Sequence, residues 1–406
     1  MTFLPVLPLL LTACAHHSVV PMPASAPAPT PAPPPAATLP PEAPPPEPAP
    51  PPSIPPAPAH PLCTDPWVQD LARGARHWAN TELGTEDYGT GGALFDREWL
   101  FGTWMMAAVG LGQHAQLCPD DAPADLTAME AALERMVSPE GRAFDTHEYD
   151  GVDIDERLGD PHGSVALLGY GGLALALHRS LDPDSPLATI EQRWAEALAL
   201  RMNGGLLETY PRQIFPVDNA AGVAALALHD RVTGEDHGAQ LAATTTAIAA
   251  ARDPTTGMLF QVVAADGHPL DEPKGSGSFL TAWFLQRAAP DLALDLYTTS
   301  RDTLSGSLMG LRAMREYAPG TEGGGSVDSG PLIFGFSVSA TGFALGAAAA
   351  LGDTDTRDAL RTTAQLGGDM AVGMVAGLAA PTGDGATGSH LGDAIMLAMI
   401  TSEGMP

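Results

Sequence analysis

Gly-rich, polar loops return along this chain near Gly92, Asp155, Pro211, Pro273, Asp328 and Gly388, a spacing of about 60 residues. An apolar segment rich in small residues follows each one. In order these are Trp99–Gln113, Ser164–Arg179, Asn219–Arg231, Ser278–Ala288, Thr341–Leu351 and Leu391–Ile400. Between them lie one-faced segments, Pro66–Leu83, Leu126–Val137, Ile190–Met202 and Gln240–Ala251. Helices apolar all round alternate with amphipathic ones, the pattern that an inner and an outer helical layer require. Alternating β-branched stretches are scarce, and Met258–Ala264 is the best candidate strand, read as a short hairpin arm.

Six helical hairpins of this size resemble the (α/α)6 toroid, the scaffold of several glycoside hydrolase and polysaccharide lyase families. The resemblance covers Cys63–Pro406 and implies an all-α toroid domain over residues 63–406. The apolar last segment, without a polar cap, favours a closed ring over an open superhelical stack. Closure puts the six long loops at one end, feeding the N-termini of the inner helices. Free backbone donors and the positive end of each helix dipole then face a central cavity. In those families the resemblance implies an active site at that end.

The polar residues of the loops are therefore the candidates. Glycoside hydrolysis with inversion needs two carboxyl groups across a cavity, one protonated and one ionised. Glu98, Asp218 and Asp328 come from three different hairpins. Glu98 is assigned as acid and Asp218 as base, with Asp328 as the third catalytic candidate. Tyr210, Arg212 and Asn219 are assigned to orient substrate, and Tyr88, Trp99, His162 and His390 to complete the binding surface. Several have a second, structural reading. Asp218 precedes an apolar helix as an N-cap would, and Asp96 and Glu98 suit the start of the helix at Trp99. Asp328-Ser329-Gly330-Pro331 carries turn chemistry. Asp150, Asp153 and Asp155 lack the order of a calcium loop.

Two other functions fit the same ring. A lyase would use Tyr210 or His162 to remove a proton and Arg212 to hold a uronate carboxylate. A toroid isomerase resembling the terpene-processing enzymes is expected to place a cysteine in the cavity, and none lies in the six loops. A non-catalytic protein that binds a glycan or a partner also predicts a cavity. In that case the lining would be apolar, without paired carboxyls.

The N-terminus bears on location. Phe3–Leu11 is too short to span a bilayer and reads as a secretory apolar region. Leu11-Thr12-Ala13-Cys14 resembles the lipobox of bacterial lipoproteins. The resemblance implies a signal peptide over residues 1–13, lipid on Cys14 and an extracytoplasmic domain anchored to a membrane of the cell envelope. Of the chain's 40 prolines, 21 fall between Pro21 and Pro61. Proline has no amide donor, so residues 14–62 are read as a disordered, extended Pro/Ala-rich stalk. Export would also make Cys63 and Cys118 a disulfide pair, closing a loop worth roughly 4 kcal/mol on the chain-entropy model. Two buried free thiols are the alternative.

Charge excludes one class of partner. The chain has 48 Asp plus Glu against 19 Lys plus Arg, a net of −29, and Lys274 is its single lysine. Such a field repels nucleic acid. No Gly-x-x-x-x-Gly-Lys loop, His-Glu-x-x-His, Gly-x-Ser-x-Gly or dinucleotide fingerprint is present, so no metal or cofactor is assigned. A carbohydrate is the expected ligand, and oligomeric state is left open.

Overall fold

A computed structural model describes residues 60–403, apart from 82, 91, 376–386 and 388, with only the backbone of 368–375. The segments read as a signal peptide and a stalk, with Cys14, therefore lie almost wholly outside the described residues. Twelve helices of eleven or more residues make up the domain. Six form an outer layer: α1 (Pro66–Ala79), α3 (Ala122–Met136), α5 (Leu187–Arg201), α7 (Gly238–Ala250), α9 (Pro290–Leu304) and α11 (Thr354–Val375). The other six are inner: α2 (Ala93–Leu117), α4 (Val165–Leu181), α6 (Pro216–Thr233), α8 (Gly275–Leu285), α10 (Val338–Leu351) and α12 (His390–Ile400).

Each inner helix packs on the next in the order α2, α4, α6, α8, α10, α12, and α12 returns to α2. That last contact closes the ring and makes the fold an (α/α)6 toroid. The division into layers follows from composition. In α4 every residue from Val165 to His178 is buried except Tyr170, so the helix needs protein on all sides. In α1 the buried residues Val68, Leu71, Ala72, Ala75, Trp78 and Ala79 form one stripe, and the other face meets water. Glycine permits the closest crossings. A Cβ on Gly169 would lie 2.6 Å from the backbone nitrogen of Gly222 across the α4–α6 contact. On Gly110 it would lie 2.9 Å from the nitrogen of Ala398, at the α2–α12 seam where the ring closes.

All six inner helices match the apolar segments of the sequence. The outer helices α9 and α11 had no counterpart there; in α9 the buried residues Ala293, Leu296, Tyr297, Ser300 and Leu304 are interspersed with charged and polar ones. The expected strand at Met258–Ala264 is absent. That stretch makes single bridges instead, Val263 with Ile214 and Pro269, and Phe260 with Pro273. The ladder among the described residues is β1 (Ser305–Leu308) against β2 (Leu311–Met314), antiparallel. It turns on Met309 and Gly310, both at positive φ. Cys63 and Cys118 are bonded, with Cα atoms 5.4 Å apart, which ties the turn before α1 to the end of α2.

The connections are unequal. Outer-to-inner links run over 80–92, 137–164, 202–215, 251–274, 305–337 and 376–389, whereas inner-to-outer links have two to five residues. Among the described residues the long loops thus sit at the N-terminal end of the inner helices.

Candidate active site

The N-terminal turns of the inner helices and four of the described long loops enclose a cavity of roughly 1120 Å³. Its charged lining consists of Glu98, Glu148, Asp218 and Asp328, and no lysine, arginine or histidine lines it among the described residues.

Glu98 lies in the second turn of α2, because that helix starts at Ala93 rather than near Trp99. It therefore does not cap the helix. Gly92 takes the capping position, and Asp96 accepts hydrogen bonds from Thr90 N (3.0 Å) and Thr90 Oγ1 (2.7 Å). Glu98 is half-buried, exposed only toward the cavity, and surrounded by protein otherwise. Burial away from water, then the nearby carboxyls of Asp218 and Asp328, push its pKa up to about 8. The Tyr210 hydroxyl sits beside it and opposes the rise. The hydroxyl is itself buried, and its other neighbours among the described residues offer it no hydrogen bond.

Asp218 is the third residue of α6, whose N-cap is Phe215, so the capping reading fails for Asp218 as well. Its Oδ2 accepts a 2.6 Å hydrogen bond from Thr209 Oγ1. Burial raises its pKa to about 7 against the opposing hydroxyls of Thr209 and Tyr170, with a further push from Asp328. Asp328 reaches the cavity from the loop before α10 and accepts from Gln261 Nε2 at 3.2 Å. Burial raises its pKa too, and Lys274 resists. Although the Asp328 residue is exposed overall, its carboxyl faces the cavity wall, so the shift reflects that environment. Lys274 is paired with Asp271 at 2.8 Å.

The other expected binding residues divide. Trp99 and Tyr210 line the cavity. Tyr88 does not: it is buried behind Trp99, edge to face at 6.4 Å, and donates to Thr103 Oγ1 at 2.8 Å. His162 is exposed, and its carbonyl is one of several gathered by the Arg201 guanidinium. Arg212 occupies the tight turn Tyr210–Gln213 at φ 66° and is exposed away from the cavity. Asn219 is fully buried in a structural role. It accepts from Leu207 N at 2.7 Å and donates to the carbonyls of Leu207 and Phe215. His390 begins α12 but stacks edge-on against Trp78 at 5.7 Å.

Sequence reasoning missed Tyr170, Thr209, Gln261 and Glu148, which all line the cavity. Tyr170 carried a signal, being the one hydroxyl-bearing side chain inside the apolar run Val165–His178. Gln261 lay within a presumed strand, and Thr209 beside residues that were chosen.

Apolar side chains supply most of the remaining wall, among them Phe101, Met105, Leu280, Phe343, Ile395 and Met396. Fold and site together define an (α/α)6 toroid with an acidic cavity at the head of its inner helices. Among solved structures the chain is similar to the GH76 alpha-1,6-mannanase of Salegentibacter sp. HEL1_6. An inactive variant of that enzyme with two aspartates replaced, in complex with alpha-1,6-mannotriose, superposes with a TM-score of 0.51 at 12% identity. The match covers 82% of this chain and 99% of that one. The unsubstituted enzyme gives a TM-score of 0.50 at 11% identity, over 83% and 98%. At this identity the likeness establishes the fold. No protein-family model matches the sequence, and no curated relative matches it.

Proposed function

We propose that the domain is a carbohydrate-active hydrolase that cleaves a neutral glycosidic bond, with Glu98 as general acid and Asp218 as general base. One observation carries the reading: carboxyl groups from three hairpins share one cavity, and two of them have pKa values raised to about 8 and about 7. Near neutral pH Glu98 keeps its proton and can give it to the glycosidic oxygen as the bond breaks. Ionised Asp218, oriented by Thr209, takes a proton from the attacking water, so one proton enters and one leaves. Asp328 places negative charge where the sugar ring becomes positive. Trp99 offers a face for a sugar ring, and the Tyr210 hydroxyl offers a hydrogen bond.

The lining also bears on substrate class. A uronate would find no cationic partner there, which weighs against a lyase and against polyanionic substrates. The structural likeness to that mannanase makes alpha-1,6-mannooligosaccharides the first substrates to test. The aspartate pair replaced in its inactive variant is consecutive, whereas Asp218 is followed here by Asn219, so a narrower assignment is not carried over. A second reading, a non-catalytic receptor, is favoured by the apolar wall, which suits a ligand with an apolar portion. On either reading the domain is held outside the cytoplasm by lipid on Cys14.

The deciding experiment incubates the full chain with alpha-1,6-mannotetraose and a panel of neutral oligosaccharides, and measures new reducing ends. The expected result is turnover that falls by at least about 100-fold in Glu98→Gln and Asp218→Asn while oligosaccharide binding persists. Binding without turnover by the unsubstituted chain supports the receptor instead. Turnover that survives both substitutions rules out these two residues.

A further inference from the structure

The far end of the ring holds a second cluster of polar side chains that the cavity chemistry does not use. His229 lies on α6, eleven residues beyond Asp218 and therefore about 16 Å along the helix from the cavity carboxyls. Gly234, at φ 80°, caps α6, and the link to α7 carries Glu235 and His237. Ligand-capable atoms of His229, Glu235 and His237 all lie within 4.8 Å of one another.

What distinguishes this cluster from an ordinary ion pair is the use of the remaining atoms. His229 Nδ1 is 2.8 Å from Glu191 Oε1, and Glu191 is itself held by Arg179. His237 Nδ1 is 2.6 Å from Asp230 Oδ1, while Asp230 Oδ2 accepts the His237 backbone N–H at 2.8 Å. Each imidazole thus spends Nδ1 on a carboxylate and leaves Nε2 for another partner. Glu235 Oε1 accepts from Gln192 Nε2 at 3.0 Å, which leaves Oε2 facing His229. His229 is 1% exposed, yet its Nε2 has no hydrogen-bond partner among the described residues. The nearest oxygen, Glu235 Oε2, lies 3.4 Å away, close enough for an ion pair if the ring is protonated and for a shared metal ion if it is not. A buried ring nitrogen without a partner is costly unless something else occupies its lone pair.

We infer that His229, Glu235 and His237 bind a divalent transition-metal ion, zinc by donor set, with Glu191 and Asp230 orienting the two imidazoles. Two neutral imidazoles and one carboxylate make a donor set that zinc accepts, and exposed Glu235 leaves a fourth position to water. Carboxylates on the outer nitrogens hold each ring in the tautomer a metal needs. The bound ion would pin the α6–α7 link to α5, which supplies Glu191 and Gln192, far from the cavity. The inference is independent of the proposed hydrolysis.

The test uses the full chain, purified without a polyhistidine tag and stripped with a chelator. Zinc is titrated by calorimetry, and Co2+ is added separately to read d–d absorption. The expected result is one saturable zinc site per chain, a higher Tm with zinc, and a cobalt spectrum typical of four-coordination. Glu235→Gln and His237→Gln, both outside the core, should weaken binding by more than about tenfold and abolish the zinc-dependent Tm shift. Asp230→Asn, which keeps all three ligands, should weaken it by roughly tenfold. The absence of saturable binding overturns the inference. So does binding that is indifferent to both ligand substitutions, since the ion would then sit elsewhere on the acidic surface.

Discussion

Glu98 and Asp218 show how position along a helix decides what a carboxyl does. Another acid two residues earlier on the same helix, Asp96, accepts two hydrogen bonds from Thr90. Glu98 has the Tyr210 hydroxyl beside it but is buried and lies near two other acids. A folded-state pKa above the unfolded value of about 4.3 means that the folded chain binds more protons across the intervening range. Stability is therefore fullest below pH 4 or so and falls as pH rises toward about 8, where Glu98 ionises at an energetic cost. We expect Glu98→Gln to lose ground or break even against the unsubstituted chain at about pH 5, and to gain on it at about pH 9. Thermal melts across that range check the expectation, and a difference that stays flat with pH would show that Glu98 ionises normally. Asn219 teaches the converse. Its neighbour in sequence faces the cavity, but one further step around the helix turns Asn219 into the wall, where it bonds Leu207 and Phe215.

At the scale of elements, the ring depends on glycine where two helices cross. Gly110 is not in a turn and needs no unusual backbone angle; it is small because Leu397 and Ala398 of α12 occupy the space. Replacing Gly110 with Val should lower stability by at least about 1–3 kcal/mol, the range for overpacking a close core contact. Chemical denaturation reads that loss, and an unchanged midpoint would mean that the α2–α12 seam can spread without penalty. The inner helices were legible in sequence because each is apolar on every side and begins after a polar loop. The outer helices α9 and α11 were not, since a helix with one buried stripe carries charged and polar residues over the rest of its surface, as α9 does around Ala293, Leu296 and Leu304. The strand expected at Met258–Ala264 fails for a related reason. Buried and half-buried residues alternate there, but the stretch makes only isolated bridges, with no partner strand to complete a ladder.

For the molecule as a whole, charge and location belong together. Nearly all of the chain's net charge of −29 falls on a ring whose single lysine is Lys274, a field that repels anionic partners. Among the described residues no helix is long and apolar enough to cross a membrane. Attachment would then rest on the lipid proposed at Cys14. Expressed in a bacterial host, the unsubstituted chain should partition with membranes and Cys14→Ser should shift to the soluble fraction. Equal membrane association of the two chains would discard the anchor. The stalk would in that case be a spacer attached by other means.

The sequence by itself determined the two helical layers, the count of hairpins and the end of the ring where polar residues collect. Those properties follow from local patterns, apolar on all sides or on one, punctuated by glycine and proline. It also singled out Glu98, Asp218 and Asp328, because acids on separate loops are visible as such. Only the tertiary structure decided which residues meet. Tyr88, His162, Arg212, Asn219 and His390 share loops with cavity residues yet point elsewhere, while Tyr170 and Gln261 arrive from segments that looked purely structural. His229, Glu235 and His237 likewise became a cluster only once α6 ended at Gly234 and the chain turned back. The physical reason is the same in each case. Local sequence sets whether a segment is helix or loop, but the direction of a side chain depends on the phase of its helix and on how neighbouring hairpins close around it.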